Sequence, residues 1–226
     1  MQPLEAILQH PAIWRANDCA RVAIPSIPTG FPGLDAALPG GGWPAAALTE
    51  IYADGPGSGE LQVLMPAAAR LTRAGRWIVL IAPPYIPYAP ALAAQGLALQ
   101  RLILVRTSSA EESFWACEQA LRFQGCGAAL AWIDRAPERA LKRLQLAAEA
   151  GTAAALLFRS HRVIPASPAA LRLHMERLQN RIVVRVLKRR GSDLAAPITL
   201  DLQNPPSATV SARHPDRDAR LLEAVP

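Results

Sequence analysis

Lysine stands at only two positions, 142 and 188, in a chain with 24 Lys and Arg residues together. The positive charge is therefore almost all arginine, and this tempers the reading of a formal net charge of +6 and a pI near 9.9. Such values invite a nucleic-acid interpretation. Alanine is abundant too, and Arg and Ala share GC-rich codons, so part of the basic balance reflects genome composition. Cysteine is scarce: Cys19, Cys117 and Cys126 are odd in number and form no Cys-x-x-Cys pair, which argues against a disulfide framework and a zinc site. His10, His161, His174 and His214 are scattered without a second ligand at helical spacing. No metal and no cofactor is expected. No apolar run approaches the roughly 20 residues of a membrane helix. Residues 1–10 lack the basic region, long apolar core and small-residue cleavage site of a secretory signal. A cytoplasmic protein without a membrane partner is expected.

What is present is 51% hydrophobic and 19% charged over 226 residues, enough for one well-buried domain with small appendages. Strands are expected at residues 47–52, 77–81, 102–105, 128–133 and 153–158. Helices are expected between them at 60–74, 91–95, 109–123 and 137–150. Pro66 should kink the first of these or reset its start. Ser108 or Ser109 should cap the third, with Glu111 and Glu112 in its first turn. Alternation at these lengths implies βαβ units, an α/β fold and a mainly parallel central sheet flanked by helices. After Ser160 the pattern changes. A short helix is expected at 169–178, then strands at 181–188 and 197–202 joined across Lys188-Arg189-Arg190-Gly191, giving a C-terminal antiparallel extension. The Pro- and Gly-rich stretch 25–44 reads as a linker with a short helix inside 29–38. The expected division is an N-terminal segment and linker at 1–46, a core with its hairpin at 47–203, and a flexible tail at 204–226.

The segment carrying most chemical information is Gly55-Pro56-Gly57-Ser58-Gly59-Glu60, placed after the apolar stretch Leu48-Thr49-Glu50-Ile51-Tyr52. In outline it is a phosphate-binding loop. In Gly-x-x-x-x-Gly-Lys-Ser/Thr the backbone N–H groups cradle phosphates, the Lys neutralises charge and the hydroxyl holds magnesium. With Gly59 aligned to the last glycine, Glu60 stands in place of Lys, Leu61 in place of Ser/Thr and Asp54 in place of the first Gly. A carboxylate about 4 Å from a phosphate repels by roughly 4 kcal/mol at an effective dielectric near 20. That shifts micromolar affinity to millimolar or weaker. Glu60, in the first helical turn, is expected to meet part of the unpaired N–H capacity itself, as a built-in substitute for the anion. The alternative is a plain Gly/Pro turn.

Further residues form a recognisable series: Trp14-Arg15, Thr29-Gly30-Phe31, the run from Leu34 through Gly40-Gly41-Gly42-Trp43-Pro44, Gly57-Ser58-Gly59-Glu60, and Ala82-Pro83-Pro84-Tyr85-Ile86-Pro87-Tyr88-Ala89-Pro90. Trp115 with Glu118-Gln119-Ala120-Leu121-Arg122, Leu157-Phe158-Arg159, Ser167-Pro168-Ala169-Ala170-Leu171 and Leu187-Lys188-Arg189-Arg190-Gly191 continue it. Over residues 11 to about 202 the chain resembles the ImuA family, RecA-like accessory proteins of bacterial SOS mutagenesis. The resemblance implies a RecA-like P-loop core. It implies a non-enzymatic role in translesion synthesis with ImuB, with an error-prone DNA polymerase through ImuB, and with RecA, nucleoid-associated after DNA damage. The second core strand of RecA-type ATPases ends near a Glu that activates water, whereas Pro83 and Pro84 stand there in this chain.

The remaining candidates each have two readings. Lys188, Arg189 and Arg190 either contact DNA phosphates or form a solvated turn. Tyr85 and Tyr88 either offer a stiff docking loop or pack on the sheet edge, and Trp43 poses the same choice, with packing favoured. Asp134 either positions magnesium or, the favoured reading, caps the helix that follows. Arg135, Arg139, Lys142 and Arg143 read as a solvated helix face. Two other functions stay open: a weak nucleotide-dependent DNA-binding protein, and a division inhibitor like the related SulA.

Overall fold

The computed structural model describes residues 25–55, 57–160, 166–189 and 196–202. Its centre is strand β3 (Ala47–Ala53), buried along its whole length. Parallel to it on one side runs β7 (Ala154–Ser160), then β6 (Cys126–Trp132), β4 (Trp77–Ile81) and the edge strand β5 (Leu102–Val105). On the other side β3 pairs in parallel with β8 (Leu171–Leu178), which continues antiparallel through β9 (Arg181–Lys188) and β10 (Ile198–Asp201). The result is an α/β fold with an eight-stranded, mainly parallel sheet and antiparallel strands at its C-terminal end.

The two-residue strand period divides the apolar residues between two layers. Ile51, Ile78, Leu80, Leu130 and Leu156 join one core with α2 (Glu60–Arg73), which contributes Val63, Leu64 and Ala67. Leu48, Val79, Ile81, Ala129 and Leu157 face the opposite core with α4 (Ala110–Arg122) and α5 (Glu138–Gly151). A short helix α3 (Ala89–Ala94) follows the loop after β4. Burying each Leu or Ile contributes about 1.5–3 kcal/mol, so continuous apolar strands are what a sheet covered on both faces requires. Ser109 caps α4 as expected, its Oγ accepting the Glu112 N–H at 3.1 Å.

Two regions differ from the sequence reading. The stretch 25–44, read as a linker, is folded onto the core: β1 (Ser26–Ile27) pairs with β2 (Trp43–Pro44), and α1 (Pro32–Ala37) lies between them. Phe31, Leu34, Leu38 and Trp43 enter the main core. The glycines permit a close approach rather than looseness, since a Cβ on Gly42 would stand 2.3 Å from the Ile27 carbonyl oxygen. Trp43 is therefore a packing residue.

Residues 169–178, read as a short helix, form β8 from Leu171 onward. The correct period was two. Leu171, Leu173 and Met175 enter the core with Ile51, while Arg172 and His174 stand in register with Glu50 and Tyr52. Sheet pairing and burial outweigh helix propensity. Pro66 lies within α2 without ending it. Its ring fits against Gly30, where a Cβ would come within 2.4 Å of the Pro66 Cβ. Residues 1–24, Pro56, 161–165, 190–195 and 203–226 lie outside the described residues. Expectations for Trp14, Cys19, Arg190 and the tail fall there.

Among the described residues, no helix is long and apolar enough to cross a membrane. None of the groups of three or more His, Cys, Asp and Glu among them is arranged to hold a metal ion.

Candidate functional site at the end of the central strands

Strand β3 ends at Ala53 and α2 begins at Glu60, so the glycine-rich segment lies at the C-terminal end of a central parallel strand. In open α/β sheets ligand crevices form at this end. Gly57 and Gly59 adopt left-handed backbone angles, with φ of 82° and 91°, which the tight return into the helix requires. Gly59 is also crowded, because a Cβ there would meet the Ile182 side chain at 2.9 Å.

The Glu60 side chain turns back into this loop. Its Oε1 accepts the Gly57 N–H at 3.2 Å and the Trp132 indole N–H at 3.4 Å, and its Oε2 accepts the Ser58 hydroxyl at 3.0 Å. Glu60 is 5% exposed. A buried carboxylate needs donors, and here it draws them from the loop and from β6. Leu61 packs against the core rather than facing the loop's polar groups. Asp54, largely exposed, places Oδ1 3.4 Å from Nε2 of the buried His174.

Beside Glu60 is a cavity of about 260 Å³ whose walls include Trp132, Phe158, Pro84, Asp134 and Arg159. The Trp132 and Phe158 rings stack with centroids 4.6 Å apart. Pro84 occupies the wall where the resemblance would place a catalytic Glu, and proline has no side chain able to accept a proton. Asp134 does not cap α5. Pro137 stands at that cap without a side-chain bond, and Asp134 Oδ1 instead accepts the Ser160 N–H at 2.8 Å, tying the end of β6 to the end of β7.

The sequence reading missed a buried polar cluster on the three adjoining strands. Glu50 on β3 is fully buried, with Oε1 2.6 Å from Arg159 Nη1 and Oε2 3.0 Å from Arg172 Nε. Tyr52 accepts a hydrogen bond from Arg172 at 2.6 Å, and both guanidinium groups lie over its ring. Burial is the main cause pushing the Tyr52 pKa up, opposed by the Arg172 hydrogen bond. Arg159 also donates to the Asp134 carbonyl from Nε and Nη2, at 3.2 and 3.0 Å. The available signal was a carboxylate inside an apolar strand, since buried charges need partners.

The other candidates lie apart. Tyr85, Ile86 and Tyr88 are exposed, Tyr88 at 72%, so these rings do not pack on the sheet edge. Lys188 donates to the Ser167 carbonyl at 2.9 Å and Arg189 to the Ala37 carbonyl at 2.6 Å. On α5, Lys142 pairs with Glu138 at 2.8 Å, and Arg143 joins Arg122 in pairing with the buried Glu118 of α4.

Fold and site together define an α/β protein with a mainly parallel sheet and, at its centre, a glycine-rich strand-to-helix loop whose donors meet a carboxylate of the same chain. No family model matches the chain. It is similar to Protein ImuA of Caulobacter vibrioides, 33% identical over 134 residues that cover 57% of this chain and 55% of that protein. These matches show the resemblance read from the motifs. The chain is also 31% identical over 112 residues to Protein RecA of Picosynechococcus sp., covering 49% of this chain and 31% of that one. A stretch of 41 residues is 56% identical to Protein RecA of Solidesulfovibrio magneticus. The chain spans about half the length of the ImuA relatives it matches.

Proposed function

We propose that this chain is a RecA-like accessory protein of SOS-induced translesion DNA synthesis that catalyses no reaction itself. It scaffolds or regulates a complex of ImuB with an error-prone DNA polymerase, and it contacts RecA. The observation that carries this reading is Glu60: the N–H and hydroxyl donors that would receive a phosphate already serve a carboxylate of the chain. A nucleotide would have to displace that carboxylate and then sit beside it, against repulsion of roughly 4 kcal/mol. Leu61 and Pro84 withhold the magnesium-binding hydroxyl and the catalytic base. Similarity to ImuA supports the place in translesion synthesis, and similarity to RecA supports the contact with a RecA-type protein.

The test is a pull-down of the chain with purified RecA and with purified ImuB, with and without ATP and in the absence of single-stranded DNA. The full chain is compared with one truncated after Asn204. Binding that is indifferent to ATP supports the scaffold, and its loss on truncation would put the contact in the tail. Absence of binding to either partner overturns the proposal and moves the division-inhibitor reading forward.

A further inference from the structure

The cavity beside Glu60 is acidic in a basic protein. Among the described residues that line it, the charged groups are the carboxylates of Glu60 and Asp134 and the guanidinium group of Arg159. Two negative charges against one positive one leave one negative charge, in a chain whose net charge is +6. Arg159, which lines the cavity, is held by its ion pair with Glu50, by Tyr52 and by the Asp134 carbonyl, so its Nη1, Nη2 and Nε all have partners within the chain. Among the described residues, the side chains left to face a guest include the carboxylates of Glu60 and Asp134 and the Trp132 and Phe158 rings.

We infer that this cavity is a socket for the guanidinium group of an arginine side chain presented by a protein partner. Three features select that group. Asp134, an exposed residue, commits Oδ1 to the Ser160 N–H, which leaves Oδ2 open to a donor from outside. Glu60 supplies a second carboxylate at the same cavity. The stacked Trp132 and Phe158 rings form a wall, and a planar, weakly hydrated guanidinium lies over such a face while donating in its own plane. Lysine, a strongly hydrated point charge, uses the wall less well. The volume of about 260 Å³ is far above the ~30 Å³ share of one water. A phosphate-bearing ligand would meet the same carboxylates as repulsion. The inference rests on reading this cavity as closed to nucleotides, and it adds what the cavity takes instead.

The test follows the Trp132 indole N–H, which donates to Glu60, by NMR of the full chain carrying 15N-labelled tryptophan. The signal is assigned with Trp132→Phe. The probes are a blocked Gly-Gly-Arg-Gly-Gly peptide, the same peptide with citrulline or lysine in place of arginine, and MgATP. The arginine peptide should shift the signal saturably with a millimolar dissociation constant, the range a single side chain supports. Citrulline, the neutral isostere, should bind at least about tenfold more weakly, with lysine between the two. Asp134→Asn and Glu60→Gln should each weaken the arginine response, and circular dichroism checks that both variants stay folded. Equal response to citrulline, or none to arginine, overturns the socket. A saturable MgATP response that displaces the peptide overturns both the socket and the reading of a site closed to nucleotides. Silence toward both MgATP and arginine overturns the socket alone.

Discussion

Arg159 on β7 places Nη1 2.6 Å from Oε1 of Glu50 on the neighbouring strand β3, and both side chains are buried, Glu50 completely. Glu50 balances two guanidinium groups, because Arg172 approaches its other oxygen from β8. Three strands distant in sequence thus share one charge cluster. Breaking a buried pair from one side leaves uncompensated charge, at about 3–5 kcal/mol. Glu50→Ala should therefore lower urea stability by about 4 kcal/mol and the melting temperature by about 10 °C for a chain of this size. A loss under about 1 kcal/mol, the level of a solvated surface pair, would contradict the assignment.

That cluster marks where the sequence stopped being informative. Strands β4 and β5 were legible because each is a short apolar run between turn signals, and the α4 start was legible because Ser109 and Glu112 are local capping partners. The Glu50 cluster needs β7, β3 and β8 placed side by side in register, which no local pattern contains. In β8, Leu171-Arg172-Leu173-His174-Met175 fits a strand by alternation and a helix by composition, and only pairing with β3 decides between them. The 25–44 stretch misled for the opposite reason. Its glycines and prolines mark close approach to the core, and composition does not distinguish that from looseness. At the loop, the Glu60 donors Gly57 and Ser58 are three and two residues away, within reach of a local reading, whereas the Trp132 contact bridges 72 positions.

Glu60→Lys places at this position the residue that a phosphate loop carries, yet it should not create an ATPase. Leu61 and Pro84 still supply neither a magnesium ligand nor a base. The substitution also removes the acceptor for Gly57, Ser58 and Trp132 and puts a donor among donors. Unsatisfied buried groups cost about 1–3 kcal/mol. The expected outcome is a protein less stable by that amount in urea that releases no phosphate from MgATP. Turnover by this variant would show that loop charge alone had silenced the site.

Cys117 on α4 and Cys126 at the start of β6 are buried, and burial pushes their thiols from an ordinary 9.0 up to about 12 and about 11. Their folded pKa values lie above the unfolded ones. The stability they contribute is fully present below pH 9.0 and is lost as pH rises through the folded values. In that window the unfolded chain has released protons that the fold retains, so stability falls by about 1.4 kcal/mol per pH unit for each thiol. Urea unfolding at a series of alkaline pH values should show this slope, and Cys117→Ala should flatten it by one thiol's share. A slope unchanged in that variant would contradict the assignment. In the native protein both thiols should resist labelling by an aromatic disulfide reagent near neutral pH.

Gly151 closes α5 where that helix crosses α4, and a Cβ built on it would stand 1.7 Å from the Leu121 carbonyl oxygen and 2.8 Å from its carbon. Both are backbone atoms, so no rotamer change relieves the clash. Gly151→Ala must push α4 and α5 apart, at the upper end of the 1–3 kcal/mol that overpacking costs, about 3 kcal/mol. Leu121, Leu141, Leu144 and Cys117 share the core between these helices and the sheet, so separation opens the cover over the Cys117 thiol. The variant should lose stability in urea and its Cys117 should label faster than in the parent chain, with Cys19→Ala and Cys126→Ala as background so that neither adds to the rate. Stability lost without faster labelling would mean that α5 shifts along α4 rather than away from it, and the contact at Gly151 would then not be what holds the two helices at their present distance.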